Sequence, residues 1–238
     1  MTTRVDEIAE DVFRISTHRQ DGGGAGIVYN SFLIRGEAPL LVHTGMRTIY
    51  PQTAAALARL IDITSLRWIT GGHASRPDEF GAAEQLLAAA PDAQVVAGKV
   101  AVGVCLRHMI DAPAVPIASG EALELGGGRT ARFVATPHVP FWEAGVWLLE
   151  PGAVMFCGDL FTLEGNPPPV SDRDILGPAL AFEARMRHFT VSDRLPPTLR
   201  RLAGLGPRML ACMHGPAYTG DAPGTLKALA GHYERERA

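Results

Sequence analysis

Six side chains of metal-binding type punctuate this sequence: His73, Asp78, Glu79, His138, Asp159 and His214. The three histidines and Asp159 each follow an apolar, β-branched or aromatic run. LRWIT precedes His73, RFVAT precedes His138, VMFC precedes Asp159 and MLACM precedes His214, with glycine or proline beside each. Imidazoles and carboxylates together suit zinc, iron or manganese, and a carboxylate can bridge two cations. Taken singly, these residues mean little. A lone histidine is more often structural, and Asp159 alone is a turn residue. Asp78 and Glu79 alone are charges that complement a helix N-terminus. The signal is their recurrence at the same end of successive strands, where loops on a rigid sheet usually build sites.

The elements that must position them are legible from pattern. VFRIST, NSFLIRG and PLLVHTG read as strands, separated by turn residues at 21–26 and 36–37. Helix formers after Pro51 predict a helix over 51–62. LRWITGG reads as a short buried strand, 79–90 as an Ala/Leu-rich helix stopped by Pro91, and AQVVAG as a strand. A short helix is expected within 101–111. ALELGGGRTARFVATPH and VWLLEPGAVMFCGDLF read as two strand pairs turning at glycines. A loop over 163–175, helices over 178–190 and 196–204, the strand RMLACMHG and a helix over 223–236 complete the chain. Hairpins demand antiparallel pairing, so two facing sheets with helices outside fit better than one doubly wound parallel sheet.

Composition sets bounds. The chain has 238 residues, 47% of them apolar, and a net charge of −3, which suits a packed globule. No basic cluster suggests nucleic acid or an anionic membrane as partner. No apolar run approaches the roughly 20 residues a bilayer requires. The acidic, alternating N-terminus lacks a signal-peptide core, so a cytoplasmic location is expected. Cys105, Cys157 and Cys212 are far apart in sequence and read as buried, reduced thiols. The glycine run 22–24 has no phosphate-loop context.

At the candidate ligands the chain resembles the metallo-β-lactamase superfamily. Its HxHxDH motif, distant histidine, bridging aspartate and last histidine are matched by GGHASRPDEFG, TPHVPFWEAG, CGDLF and MHG. More narrowly, the chain resembles oxygen-binding diiron proteins and the lactamase-like domain of flavodiiron proteins. NSFLIRGEAPLLVHTGMR, CGDLFTLEGNPP, DILGPALAFEARM and LACMHGPAYTG extend that likeness over nearly the whole chain. The resemblance implies a four-layer αββα metallo-β-lactamase sandwich, one domain over 1–238, and two metal ions. Iron is favoured, with zinc or manganese as alternatives. By resemblance, His73 and His138 bind the first metal, Asp78 and His214 the second, and Asp159 bridges them as the catalytic residue. A homodimer is also implied.

Departures from the family pattern bear on chemistry. Ser75 stands where the diiron family has a glutamate, and the segment from His73 to Asp78 is one residue longer than the family's, with Arg76-Pro77 inside it. Glu79 stands where a histidine usually follows the aspartate; it is either a substitute ligand or a helix-start charge. Losing an anionic ligand weakens hold on a hard cation, so one of the two sites is either weaker or empty. His43 is expected to pack behind the ligands. Glu143 is expected on a turn or at the surface, with replacement of the missing carboxylate as the alternative. Phe141, Trp142 and Phe161 are candidate pocket walls. His18, His108, His188 and His232 match no ligand pattern.

Three functions remain open at this point. The first is diiron chemistry on O2 or NO, with electrons from an external flavodoxin-like reductase, since no stretch of the chain reads as a flavin domain. The second is hydrolysis of an unidentified substrate by a metal-bound hydroxide. The third is a non-catalytic lactamase-fold protein with a decayed site.

Overall fold

In the computed structural model, residues 1–20 and 24–236 are described. The expected turn over 21–26 and the glycine run 22–24 therefore lie partly outside the described residues.

Two seven-stranded sheets form the centre. The first contains β1 (Thr2–Ala9), β2 (Val12–Arg19), β3 (Ile27–Ile34), β4 (Leu40–Val42), β5 (Trp68–Thr70), β6 (Gln94–Gly98) and β7 (Val115–Ile117), in sequence order. Strands β1 to β4 pair antiparallel, and β4 to β7 pair parallel. The second contains β8 (Ala122–Gly126), β9 (Arg129–Ala135), β10 (Gly145–Glu150), β11 (Val154–Phe156), β12 (Val170–Ser171), β13 (Met209–Ala211) and β14 (Ala217–Tyr218). Its order is β12-β14-β13-β11-β10-β9-β8, with β11 and β13 parallel.

Three apolar layers separate four structural layers. Phe32, Val42 and Val96 from one sheet meet Phe133, Trp147 and Phe156 from the other. Side chains of opposite parity point outward, because strand side chains alternate between faces. Leu33, Leu41 and Val95 thus pack under α1 (Tyr50–Leu57), α2 (Pro77–Phe80), α3 (Ala83–Ala89) and α4 (Lys99–Val104). Leu148, Met155 and Leu210 pack under α5 (Leu176–Met186), α6 (Leu195–Gly204) and α7 (Ala222–Glu236). Strands buried on both faces explain the unbroken runs LLV, VMF and MLA. This is the αββα architecture the sequence implied.

The differences in element bounds have local causes. The helix expected over 79–90 divides into α2 and α3. The Ala82 N–H turns away to Gly45 O (3.1 Å) and Thr44 Oγ1 (3.1 Å), tying the break to the loop after β4. The expected loop 163–175 contains the two-residue strand β12, held by β14. Strands β1, β7 and β14 went unread because short or edge segments carry little periodicity. Cys157 and Cys212, 55 residues apart, are neighbours with sulfurs 3.7 Å apart, whereas Cys105 is only half-buried. No helix among the described residues is long and apolar enough to cross a membrane.

Candidate metal centre

The functional side chains sit at the C-terminal ends of the central strands. His43 directly follows β4, His73 follows β5, and α2 carries Asp78 and Glu79 in its first turn. Asp159 follows β11 and His214 follows β13. Because β4, β5, β11 and β13 end at one rim, residues up to 171 positions apart in sequence converge there.

Two groups of donor atoms result: His73, Glu79 and Asp159, and Asp78, Asp159 and His214, all buried. Asp159 belongs to both. Its Oδ2 lies 3.4 Å from His73 Nε2, and its Oδ1 lies 3.2 Å from His214 Nε2. His73 Nε2 is also 3.4 Å from Glu79 Oε1, and His214 Nε2 is 3.3 Å from Asp78 Oδ2. With metal–ligand bonds of about 2.0–2.2 Å, donors around one tetrahedral ion stand roughly 3.4 Å apart. The spacing therefore fits metal ions between these atoms.

Hydrogen bonding aims the donors. His214 Nδ1 donates to Val28 O (2.8 Å), which leaves Nε2 as the nitrogen facing the carboxylates. Glu79 Oε2 accepts the Gly72 N–H at 2.7 Å, turning Oε1 toward His73. His73 Nε2, Asp78 Oδ1, Glu79 Oε1 and Asp159 Oδ1 are buried with no hydrogen-bond partner. Orphaned buried polar atoms are costly, and a cation is what this donor chemistry would satisfy. The close approach needs glycine: a Cβ on Gly71 would lie 2.4 Å from Glu79 Oε2. Asn30 pins the last ligand loop from the opposite sheet, its Nδ2 donating to Cys212 O and Gly215 O at 2.8 Å each.

The electrostatics follow from packing opposed charges in a dry rim. Burial pushes Glu79 up to about 8. Burial would lower His73, but Glu79 and Asp159 raise it to about 9. His214 is likewise raised well above its ordinary value, against burial, by Asp159 and Asp78. Asp159, despite burial, is held well below the carboxylate range by the two imidazoles. Without metal, protons on His73 and His214 balance the acids.

Other expected residues separate. His138 joins neither group; it is half-buried at φ 68°, its N–H donates to Phe141 O (2.7 Å), and its Nδ1 is buried without a partner. His43 sits behind the centre, as expected: Nδ1 bonds Asn30 O (3.2 Å), Nε2 lies 3.4 Å from Glu79 Oε2, and burial lowers it to about 4. Glu143 is a correction. It is buried, not at the surface, and Oε1 accepts from the Ala74 N–H (3.0 Å) and the Ser75 hydroxyl. Ser75 is thereby directed to Glu143. Phe141 meets the His73 ring edge-on at 4.5 Å, Phe161 joins the core under α5 to α7, and Trp142 is exposed.

A cleft opens over the Asp78–Asp159–His214 group, lined also by His188, Arg19 and Arg187. Sequence reading missed His188 because no spacing links it to the ligands. It arrives through the docking of α5, where its Nδ1 meets the Glu183 carboxylate.

Residues 27–215 match the family described as "ODP family beta lactamase". The chain belongs to that family. The diflavin flavoprotein A 1 of Synechocystis is 28% identical over 189 residues, covering 74% of this chain and 32% of its own length. An anaerobic nitric oxide reductase flavorubredoxin of Aliivibrio salmonicida is 29% identical over 138 residues, covering 57% of this chain and 28% of its own. Among solved structures, a single-site variant of the flavo di-iron protein of Thermotoga maritima superposes with a TM-score of 0.82. That match has 19% identity and covers 96% of this chain and 62% of the other. This ODP-family chain spans about a third of the curated relatives' length. The structural likeness confirms the lactamase-like fold the sequence suggested.

Proposed function

We infer that this ODP-family chain carries a dinuclear non-haem iron centre that binds and reduces O2 or NO. The single observation that carries the reading is Asp159, one carboxylate facing two imidazoles from opposite sheets and shared by both donor groups. The relatives named flavo di-iron protein and nitric oxide reductase flavorubredoxin support the metal and the reaction class. In this reading His73, Glu79 and Asp159 hold one ion, and Asp78, Asp159 and His214 hold the other. His138 is the further donor on the His73 side, its buried Nδ1 being unsatisfied. The absent glutamate at Ser75 is offset by Glu79, which supplies the anionic ligand from α2.

When bound, the iron pair supplies electrons to a small oxidant. The chain's own residues do the rest. The Asn30 and Val28 contacts fix His214, and Gly72 fixes Glu79, so the donors are held before a ligand arrives. The Phe141 ring over His73 keeps water from that imidazole. His188, beside Glu183 at the cleft wall, is held below its usual value by burial and stands near the centre as a neutral imidazole. Residues 1–238 act as one lactamase-like unit in the cytoplasm, as a homodimer, with electrons from a flavodoxin-like partner.

A second reading, hydrolysis of a small organic substrate, is favoured by one observation: the cleft is far roomier than a diatomic gas requires. Metal analysis with the visible spectrum separates the two. Two irons with an oxo-bridge absorption band support the first, and colourless zinc or manganese protein would replace it with the second. Protein that takes up no metal during supplemented expression would defeat both.

A further inference from the structure

The cleft above the candidate metal pair has a volume of about 630 Å³. That lies within the range of roughly 300–1,000 Å³ typical of small-organic-molecule sites. Its floor is Asp78, Asp159 and His214, whose charges face one another at 3.2–3.3 Å. Its walls carry a different charge. Among the described residues, Arg76 and Arg187 line the cleft, with Arg19 also on its wall, and the wall carboxylate there is Glu164, whose Oε1 already lies 2.5 Å from Arg185 Nη2. Glu183, behind the wall, is engaged with His188.

Arg76 and Arg187 are placed by separate parts of the fold. The Arg76 guanidinium lies over the Phe141 ring, 5.2 Å from its centroid, and that same ring touches His73. Arg187 ends α5 in the left-handed conformation (φ 48°), its N–H donating to Glu183 O at 2.8 Å. Among the described residues, neither side chain has a salt-bridge partner, and both are exposed. Two arginines lining a cleft above a cation centre repel it, unless an anion comes between them. Along the same wall run Tyr29, Phe182 and Met186, the last 56% exposed, an apolar strip beside the arginines. A ligand with a charged end and an apolar body matches both features, because guanidinium recognises planar oxyanions in fork geometry.

We propose that the cleft binds a small organic oxyanion, a carboxylate or a phosphate ester on an apolar body, with the anionic group held by Arg76 and Arg187. It lies beside the metal pair, as a co-substrate or substrate of that centre. The proposal deepens the metal-centre reading and rests on it for reaction, but not for binding. Arg76, inside the segment between His73 and Asp78, thereby gains a role as a specificity determinant.

The test is calorimetric titration of the metal-loaded full chain with phenyl phosphate, benzoate and the uncharged benzyl alcohol, with metal content measured on the same samples. The two anions are expected to bind at least roughly tenfold tighter than benzyl alcohol, and the tighter of them identifies phosphate or carboxylate as the preferred group. Arg76→Gln and Arg187→Gln, both at exposed positions, are each expected to weaken anion binding roughly tenfold with metal content unchanged. Equal affinity for benzyl alcohol overturns the proposal. So does anion binding that survives in both variants and disappears only on metal removal, since the anion then binds metal directly. Arginine-dependent anion binding in protein that holds no metal would sustain this proposal while defeating the metal-centre reading.

Discussion

Glu79 Oε2 lies 3.4 Å from His43 Nε2, both side chains fully enclosed, while the other Glu79 oxygen faces His73 at the same distance. The carboxylate thus stands between a supporting imidazole and a candidate ligand imidazole. In sequence Glu79 had two readings, substitute ligand or helix-start charge. Its burial, its orphaned Oε1 and the glycines that let it approach favour the first. A helix-start charge belongs in water, where it costs nothing to keep ionised.

Glu79→Ala is therefore expected to lose one of two metal equivalents and keep the other. The readout is metal per chain by elemental analysis after equilibrium dialysis. Retention of both equivalents would return Glu79 to a structural role. His43→Ala removes only the group behind it, so both metals should remain, with affinity lowered about 10–100-fold, the usual cost of losing a supporting partner.

Asp159→Ala should abolish metal at both positions, because the same carboxylate belongs to both donor groups. His138→Ala should lower affinity on the His73 side alone. Equal metal loss in Asp159→Ala and His43→Ala would show that the donors have been misassigned.

Metal uptake should strengthen as pH rises. In the metal-free chain the acids raise His73 to about 9 and His214 well above its usual value, against the downward push of burial. At neutral pH both imidazoles hold protons that a cation must displace, so binding releases protons. Apparent affinity climbs as pH rises toward the His73 value and keeps climbing until His214, raised well above its usual value, has also given up its proton. A competition titration with a chromophoric chelator at several pH values reads this directly, and a flat profile would contradict the charge balance described above.

Ser75→Glu should not restore the carboxylate usual in the diiron family. Ser75 is turned to the buried Glu143, which also accepts the Ala74 N–H. A second carboxylate there meets the first, so the variant should melt lower and bind no more metal than the parent. Glu143→Ala leaves the buried Ala74 N–H unpaired and should cost about 1–3 kcal/mol. Chemical denaturation measures both.

In the apolar core between the sheets, Phe32→Ala should cost about 3–5 kcal/mol, since Phe32 is fully enclosed between Phe156 and His43. A shift of the urea midpoint at unchanged slope is the expected signature.

Much of this protein was written locally. Runs such as LLV, VMF and MLA, buried on both faces, announce central strands. The Pro151–Gly152 and Gly126–Gly128 turns announce hairpins, and the loops after WIT, VMF and MLA deliver His73, Asp159 and His214 in a recognisable order. Such features depend on near neighbours in the chain, so periodicity and turn chemistry carry them. Tertiary structure alone decided which groups face one another. Glu79 turns inward because α2 is tied to the β4 loop, Glu143 reaches Ser75 across 68 residues, and Cys157 meets Cys212 across two strands. His188 and Arg187 reach the cleft only because α5 packs against the second sheet. These contacts join segments that no spacing rule connects. Burial in the shared core brings them together, and burial then fixes the charge each group can keep.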